Sequence, residues 1–172
     1  DSLLQDQKLI TSNFNTENHG ISASLIKNIT QELQRNGGYD YVQDLHILAH
    51  GSENGICFAG KLIDEKTLIS NADVLRTWKI KNLFLWSCEI GKNKNLISLF
   101  SELTGANVFC SEEKISRDKP YIFDKEGNKF NINQIVDPNS VENWNGTLMS
   151  SGTIFSNKTD LENAVSEWID DE

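Results

Sequence analysis

A three-layer α/β/α domain with a mostly parallel central sheet is the fold class this sequence predicts, and three observations predict it. Short apolar runs, LHILA at 45–49, LFLWSC at 83–88 and ANVFC at 106–110, are rich in strand-favouring residues. Each is shorter than a typical helix and stops at polar or glycine-bearing sequence, as strands buried on both faces of a parallel sheet do. Segments of helical spacing lie between them. The order helix, strand, hairpin, helix, strand, helix, strand is the alternation that puts crossover helices on both faces of such a sheet.

The elements follow in order. Residues 1–17 are polar, with a short strand expected at 8–10. From Gly20, the residues Ile21, Leu25, Ile26, Ile29 and Leu33 recur on one helical face, and Gly37-Gly38 supplies the stop. A strand is expected over 41–49, loop chemistry over 52–55, and a small hairpin over 56–63 turning near Gly60. That hairpin would stand beside the mouth of any site at the sheet edge. Residues 64–78 read as a helix, capped by Asp64 or Thr67, with Leu68, Ile69, Ala72, Leu75 and Trp78 on its apolar side. It is the crossover into the 83–88 strand.

A second amphipathic helix is expected over 95–103 through Leu96, Leu99, Phe100 and Leu103, closed by Thr104-Gly105. The 106–110 strand follows, then a terminal hairpin of 121–123 and 129–132 and a turn-rich exit over 138–146 that includes Trp144. The domain is expected to span 1–148, with 149–153 as a small-residue linker. Residues 154–172 start a new unit, with a helix over 156–169 that puts Leu161, Ala164, Val165 and Trp168 on one face.

Composition bounds the function. At 172 residues and 38% apolar, the chain supports one domain with a sizeable core. Its net charge of -9, from 25 acidic against 16 basic residues, argues against a nucleic-acid or anionic-membrane surface. No apolar run reaches the length of a membrane span. The first residues lack a signal peptide's basic start and apolar core, so the compartment is not written here, and an excised piece of a longer chain is expected. The three cysteines, Cys57, Cys88 and Cys110, are an odd number without metal-ligand spacing. Neither a disulfide framework nor a metal site is expected, and at least one thiol stays free.

Two residues stand where chemistry is usually done. His50 closes the first apolar run and Cys88 the second, and in open α/β sheets reactive groups collect beyond the carboxyl ends of the strands. A thiol attacks well only as thiolate, and an imidazole within reach can take its proton and later hand it to the leaving group. Gly51 lets the backbone approach a substrate, and the N–H groups of Gly51 and Cys88 form a candidate oxyanion hole. Plain alternatives stand beside these roles: Cys88 as inert core packing and His50 as a turn histidine bonded to a carbonyl. His46 lies back along the same strand face, which does not make a helical zinc pair. Cys57 and Cys110 read as core, and His19 as solvated.

The joint pattern is more specific. An apolar block ending in His-Gly, LHILAHG, followed by one ending in Ser-Cys, LFLWSC, resembles the caspase-like, or caspase–hemoglobinase, group of cysteine peptidases. HILAHGSENG, ICFAGKLI, LFLWSCEIG and ELTGANVFCSEE are similar to an uncharacterised bacterial domain family in that group, found at the start of large surface or secreted repeat proteins. The resemblance covers roughly residues 1–148. It implies His50 as general base and acid, Cys88 as nucleophile, and Gly51 with the Cys88 amide as oxyanion hole. Peptide-bond cleavage of this kind needs no cofactor, so any ion would be regulatory. The expected partner is a peptide or protein substrate, the parent chain included, in a secreted or cell-surface setting.

The tail, FSNKTDLENAVSEW, separately resembles the opening of a repeat in bacterial surface lipoproteins and adhesins. In the caspase-like group the residue before the cut is held near these strand ends. Glu89, Glu112 and Glu113 are expected on the same edge, where their negative field would favour Lys or Arg before the cut. The plain reading is that they are solvated loop charges. The rival to an enzyme is an inactive surface module that kept the fold and binds a peptide or partner. A buried-thiol structural cap for the repeats is a third reading.

Overall fold

The computed structural model describes residues 22–37, 42–58, 61–135 and 153–154. The first helical pattern forms α1 (Ser22–Gly37), with Leu25, Ile26, Ile29 and Leu33 all buried. The first apolar run forms β1 (Val42–Leu48) and the second forms β5 (Ile80–Trp86). They pair in parallel, with Val42 opposite Ile80 and Leu48 opposite Trp86. The third run forms β6 (Asn107–Phe109), parallel to β5. The result is an α/β fold with a parallel sheet flanked by helices, its strand order β6-β5-β1-β9, where β9 is Thr153–Ile154.

Between β1 and β5 the chain makes β2 (His50–Ser52), β3 (Gly55–Phe58) and β4 (Lys61–Ile63), a three-stranded antiparallel sheet. The turn expected near Gly60 lies outside the described residues. The helix expected over 64–78 is two, α2 (Glu65–Ser70) and α3 (Ala72–Leu75). Asp64 caps the first, its carboxylate accepting from the Thr67 amide at 2.9 Å. At Asn71 the backbone leaves the helical region, φ -115°, while its side-chain amide donates to the Thr67 carbonyl at 2.8 Å. Local side-chain bonding of this kind competes with the helix.

After β5 comes a single 3-10 turn, Ile90–Lys92, and then α4 (Lys94–Thr104). Asn93 caps α4 at its start, and Gly105 ends it in the left-handed region at φ 72°. The terminal hairpin forms as β7 (Tyr121–Phe123) and β8 (Lys129–Asn131), followed by the 3-10 turn Ile132–Gln134.

The two faces of the sheet carry different cores. Leu45, Ile47, Leu83, Leu85 and Val108 pack with the buried faces of α1 to α4. Trp78 ties this layer together, its indole N–H donating to the Thr30 hydroxyl on α1 at 2.7 Å. The steps β1 to β5 and β5 to β6 run the same way across the sheet, so right-handed crossovers bring both intervening helical segments to one face. On the other face, Leu48, Phe84, Trp86, Cys88 and Phe109 pack with Ile115, Ile122, Ile132 and Ile135. Among the described residues, the β7–β8 hairpin and its flanking turns pack on that face.

Thr153 and Ile154, expected at the linker's end and the start of the next unit, pair antiparallel with Leu48 and Ile47. The expected strand at 8–10, the exit at 138–146 and the tail helix at 156–169 lie outside the described residues. Among the described residues, no helix is long and apolar enough to cross a membrane.

Candidate active site

Parallel register brings the two strand ends together. Leu48 stands opposite Trp86, and the ladder runs one residue further, the Ala49 amide donating to the Trp86 carbonyl at 3.1 Å. His50 lies two residues beyond Leu48, and Cys88 two beyond Trp86. At Gly51 the backbones meet. A Cβ there would stand 2.6 Å from Ser87 Cβ and 3.1 Å from the Cys88 carbonyl oxygen, so a side chain would force the two segments apart. Ser87 is fully buried, and its hydroxyl has no hydrogen-bond partner among the described residues.

Cys88 is only 2% exposed and belongs to the core on the hairpin face. Its sulfur accepts a hydrogen bond from the Ile115 amide at 3.4 Å. Glu89 follows in the left-handed region, φ 59°, the only non-glycine residue with positive φ among those described. Such a conformation costs free energy in a non-glycine residue and persists where neighbours enforce it. Two bonds do so: the Glu89 amide donates to the Glu113 carbonyl at 3.0 Å, and the Gly91 amide to the Ser111 carbonyl at 2.8 Å.

His50 is half-buried and sits in β2 directly opposite Cys57 of β3. Directly opposed residues project on one side of a sheet, with Cβ atoms about 4.5–5.5 Å apart. Cys57 is therefore a neighbour of the imidazole, half-buried, where the sequence suggested core. The hairpin register was the signal that could have found it. Cys110 is likewise half-buried and not full core. Burial, partly offset by Lys94 and reinforced by Glu112, pushes its thiol up to about 11, which leaves it a poor nucleophile at neutral pH.

His46 is structural. It is 2% exposed, stacked on Phe84 with ring centroids 4.3 Å apart, and burial pulls its pKa down to about 3. Among the described residues, no group of three or more His, Cys, Asp or Glu side chains is placed to hold a metal ion.

Glu89, Glu112 and Glu113 do gather at the carboxyl edge, since the Glu89 amide is bonded to the Glu113 carbonyl. Each carboxylate is paired with a lysine: Glu89 with Lys92, Glu112 with Lys94 and Glu113 with Lys119. The hydrogen bonds from Lys92 and Lys94 hold the Glu89 and Glu112 carboxyls below the usual range. The negative field expected there is thus met locally by three lysines. Beside the edge, a groove of about 560 Å³ opens between α4, β6 and β7, with Cys110, Glu112, Glu113 and Asp124 in its wall. Neither His50 nor Cys88 lines it.

A family model described as a domain of unknown function (DUF4347) matches residues 3–152. No curated protein matches the chain, and no solved structure does.

Proposed function

The chain belongs to the DUF4347 family, and from that premise we propose that its domain is a cysteine-endopeptidase-like unit of the caspase-like group, acting through His50 and Cys88. The observation that supports this best is the approach of Gly51 to the Ser87–Cys88 backbone, which sets the residue after the imidazole against the residue bearing the thiol. His50 takes the thiol proton, and the thiolate attacks the peptide carbonyl carbon. Charge that develops on the carbonyl oxygen is met by the N–H groups of Gly51 and Cys88. The imidazolium returns its proton to the leaving amine, and water then hydrolyses the thioester, restoring the thiol. No cofactor enters these steps. The substrate is a peptide segment, with the protein's own parent chain, secreted or at the cell surface, as the first candidate.

One observation favours a second reading, a catalytically inactive surface module that binds a peptide or partner. Cys88 is packed in an aromatic and aliphatic core, as an inert thiol would be. Intact mass of the longer parent protein over time separates the two. Cleavage in the wild type that is abolished in both Cys88→Ala and His50→Ala supports the peptidase. Cleavage that persists in either variant, or none under any condition together with no labelling of Cys88 by a thiol-directed peptide electrophile, overturns it.

A further inference from the structure

We infer that residues 111–119 form an autoinhibitory cover that holds the Cys88 sulfur out of substrate's reach, an inference that rests on Cys88 being the reacting group. The segment is a polar loop with one apolar plug. Glu112, Glu113, Lys114, Arg117, Asp118 and Lys119 are all exposed, whereas Ile115 in their midst is fully buried in the same cluster as Cys88. Its amide donates to the sulfur at 3.4 Å. A peptide carbonyl must approach the sulfur along a line now taken up by this packing, so attack requires Ile115 to withdraw.

Among the described residues, the bonds that fasten the segment to the domain lie at its two ends and at the surface. At the front, Glu89 and Gly91 donate to the Glu113 and Ser111 carbonyls at 3.0 and 2.8 Å. Ser111 turns the loop inward, its hydroxyl accepting from the Glu113 amide at 3.1 Å. At the back, the chain is tied down just past the segment, where the Ile132 amide donates to the Pro120 carbonyl at 2.8 Å. Outside, an exposed ion pair ties Glu112 to Lys94 of α4, while the exposed pair of Lys119 with Glu113 closes the segment on itself. A segment held by one plug, backbone bonds at its ends and an exposed ion pair opens at lower cost than the strands beneath it. The site is thus closed at rest and opens locally, without unfolding the sheet.

The test is alkylation of the full chain by iodoacetamide, with the rate at each cysteine read by peptide mass spectrometry. In the wild type, Cys88 is expected to react at least about tenfold more slowly than half-buried Cys57. Ile115→Ser removes the plug and is expected to raise the Cys88 rate about tenfold while Cys57 changes less than about twofold. The double change Glu112→Lys and Glu113→Lys loosens the surface fastening without touching the core, and is expected to raise the Cys88 rate a few-fold. Wild-type Cys88 reacting as fast as Cys57 overturns the cover. So does a Cys88 rate unchanged in the double variant. If Ile115→Ser exposes all three thiols alike, the double variant decides alone. Alkylation needs no peptide hydrolysis, so an absent peptidase activity and an absent cover give different results.

Discussion

The indole N–H of Trp86 donates to Nδ1 of His46 at 3.1 Å, inside the core on the hairpin face of the sheet. The bond needs a neutral imidazole with its proton on Nε2, because a protonated ring offers no acceptor. Burial enforces the same state, holding the folded pKa at about 3 against 6.5 for the free side chain. Between those values the unfolded chain binds the proton and the folded one does not, so stability falls as pH falls. The slope approaches about 1.4 kcal/mol per pH unit between roughly pH 6 and 4. Urea midpoints of wild type and His46→Phe across that range check this. The variant is expected to lose less stability on acidification, and equal losses would refute the account.

Asp124 acts at more acidic pH. Burial alone would raise its pKa, but hydrogen bonds from the Asn107 and Asn128 side chains and the Asn128 and Glu126 amides hold it at about 2. A carboxylate depressed in the folded state stabilises above its unfolded pKa of about 3.9, and the contribution is lost as pH falls through about 2. Asp124→Ala is expected to cost about 1–3 kcal/mol at pH 7, because the bonds that tie β6 to the β7–β8 turn disappear. The gap from wild type should narrow by pH 2. A gap independent of pH would show that charge is not what matters there.

Gly51→Ala probes the meeting of the strand ends. Its Cβ would stand 2.6 Å from Ser87 Cβ and close to the Cys88 backbone, so the cost falls on main chain that cannot swing aside. A loss of about 1–3 kcal/mol is expected from this overpacking, read as a lower thermal midpoint. Parental cleavage should fall with it. An unchanged midpoint would mean that the two segments have room to separate.

The edge of β1 gives a fourth prediction. Thr153 and Ile154 pair with Leu48 and Ile47, so a chain ending at residue 150 lacks a strand that one ending at 155 keeps. The shorter chain is expected to fold with a loss of about 1–2 kcal/mol. It should also associate more readily, because an uncovered edge is a template for pairing. Thermal midpoints and size-exclusion profiles of the two chains check this, and identical behaviour would assign β9 no part in the domain.

Much of the frame was legible in the residues themselves. Runs such as LHIL and LFLW carry their burial in their own composition, and the spacing of Leu96, Phe100 and Leu103 carries the buried face of α4. Strand direction and alternation were enough to set His50 and Cys88 beyond neighbouring strand ends. The break at Asn71 was harder to read, because apolar periodicity continues across it while the side chain bonds backward to Thr67.

What only the tertiary structure decided depends on partners distant in the chain. Ile115 meets a sulfur 27 residues away, and Lys94 neutralises Glu112 from 18 residues away. Local periodicity encodes which element forms and which face turns inward. It carries no record of which loop packs over that face, since that choice is made by shape and charge among segments brought together only on folding. For the same reason Cys57 looked like core in the sequence and stands beside His50 in the fold: the pairing of β2 with β3 puts it there.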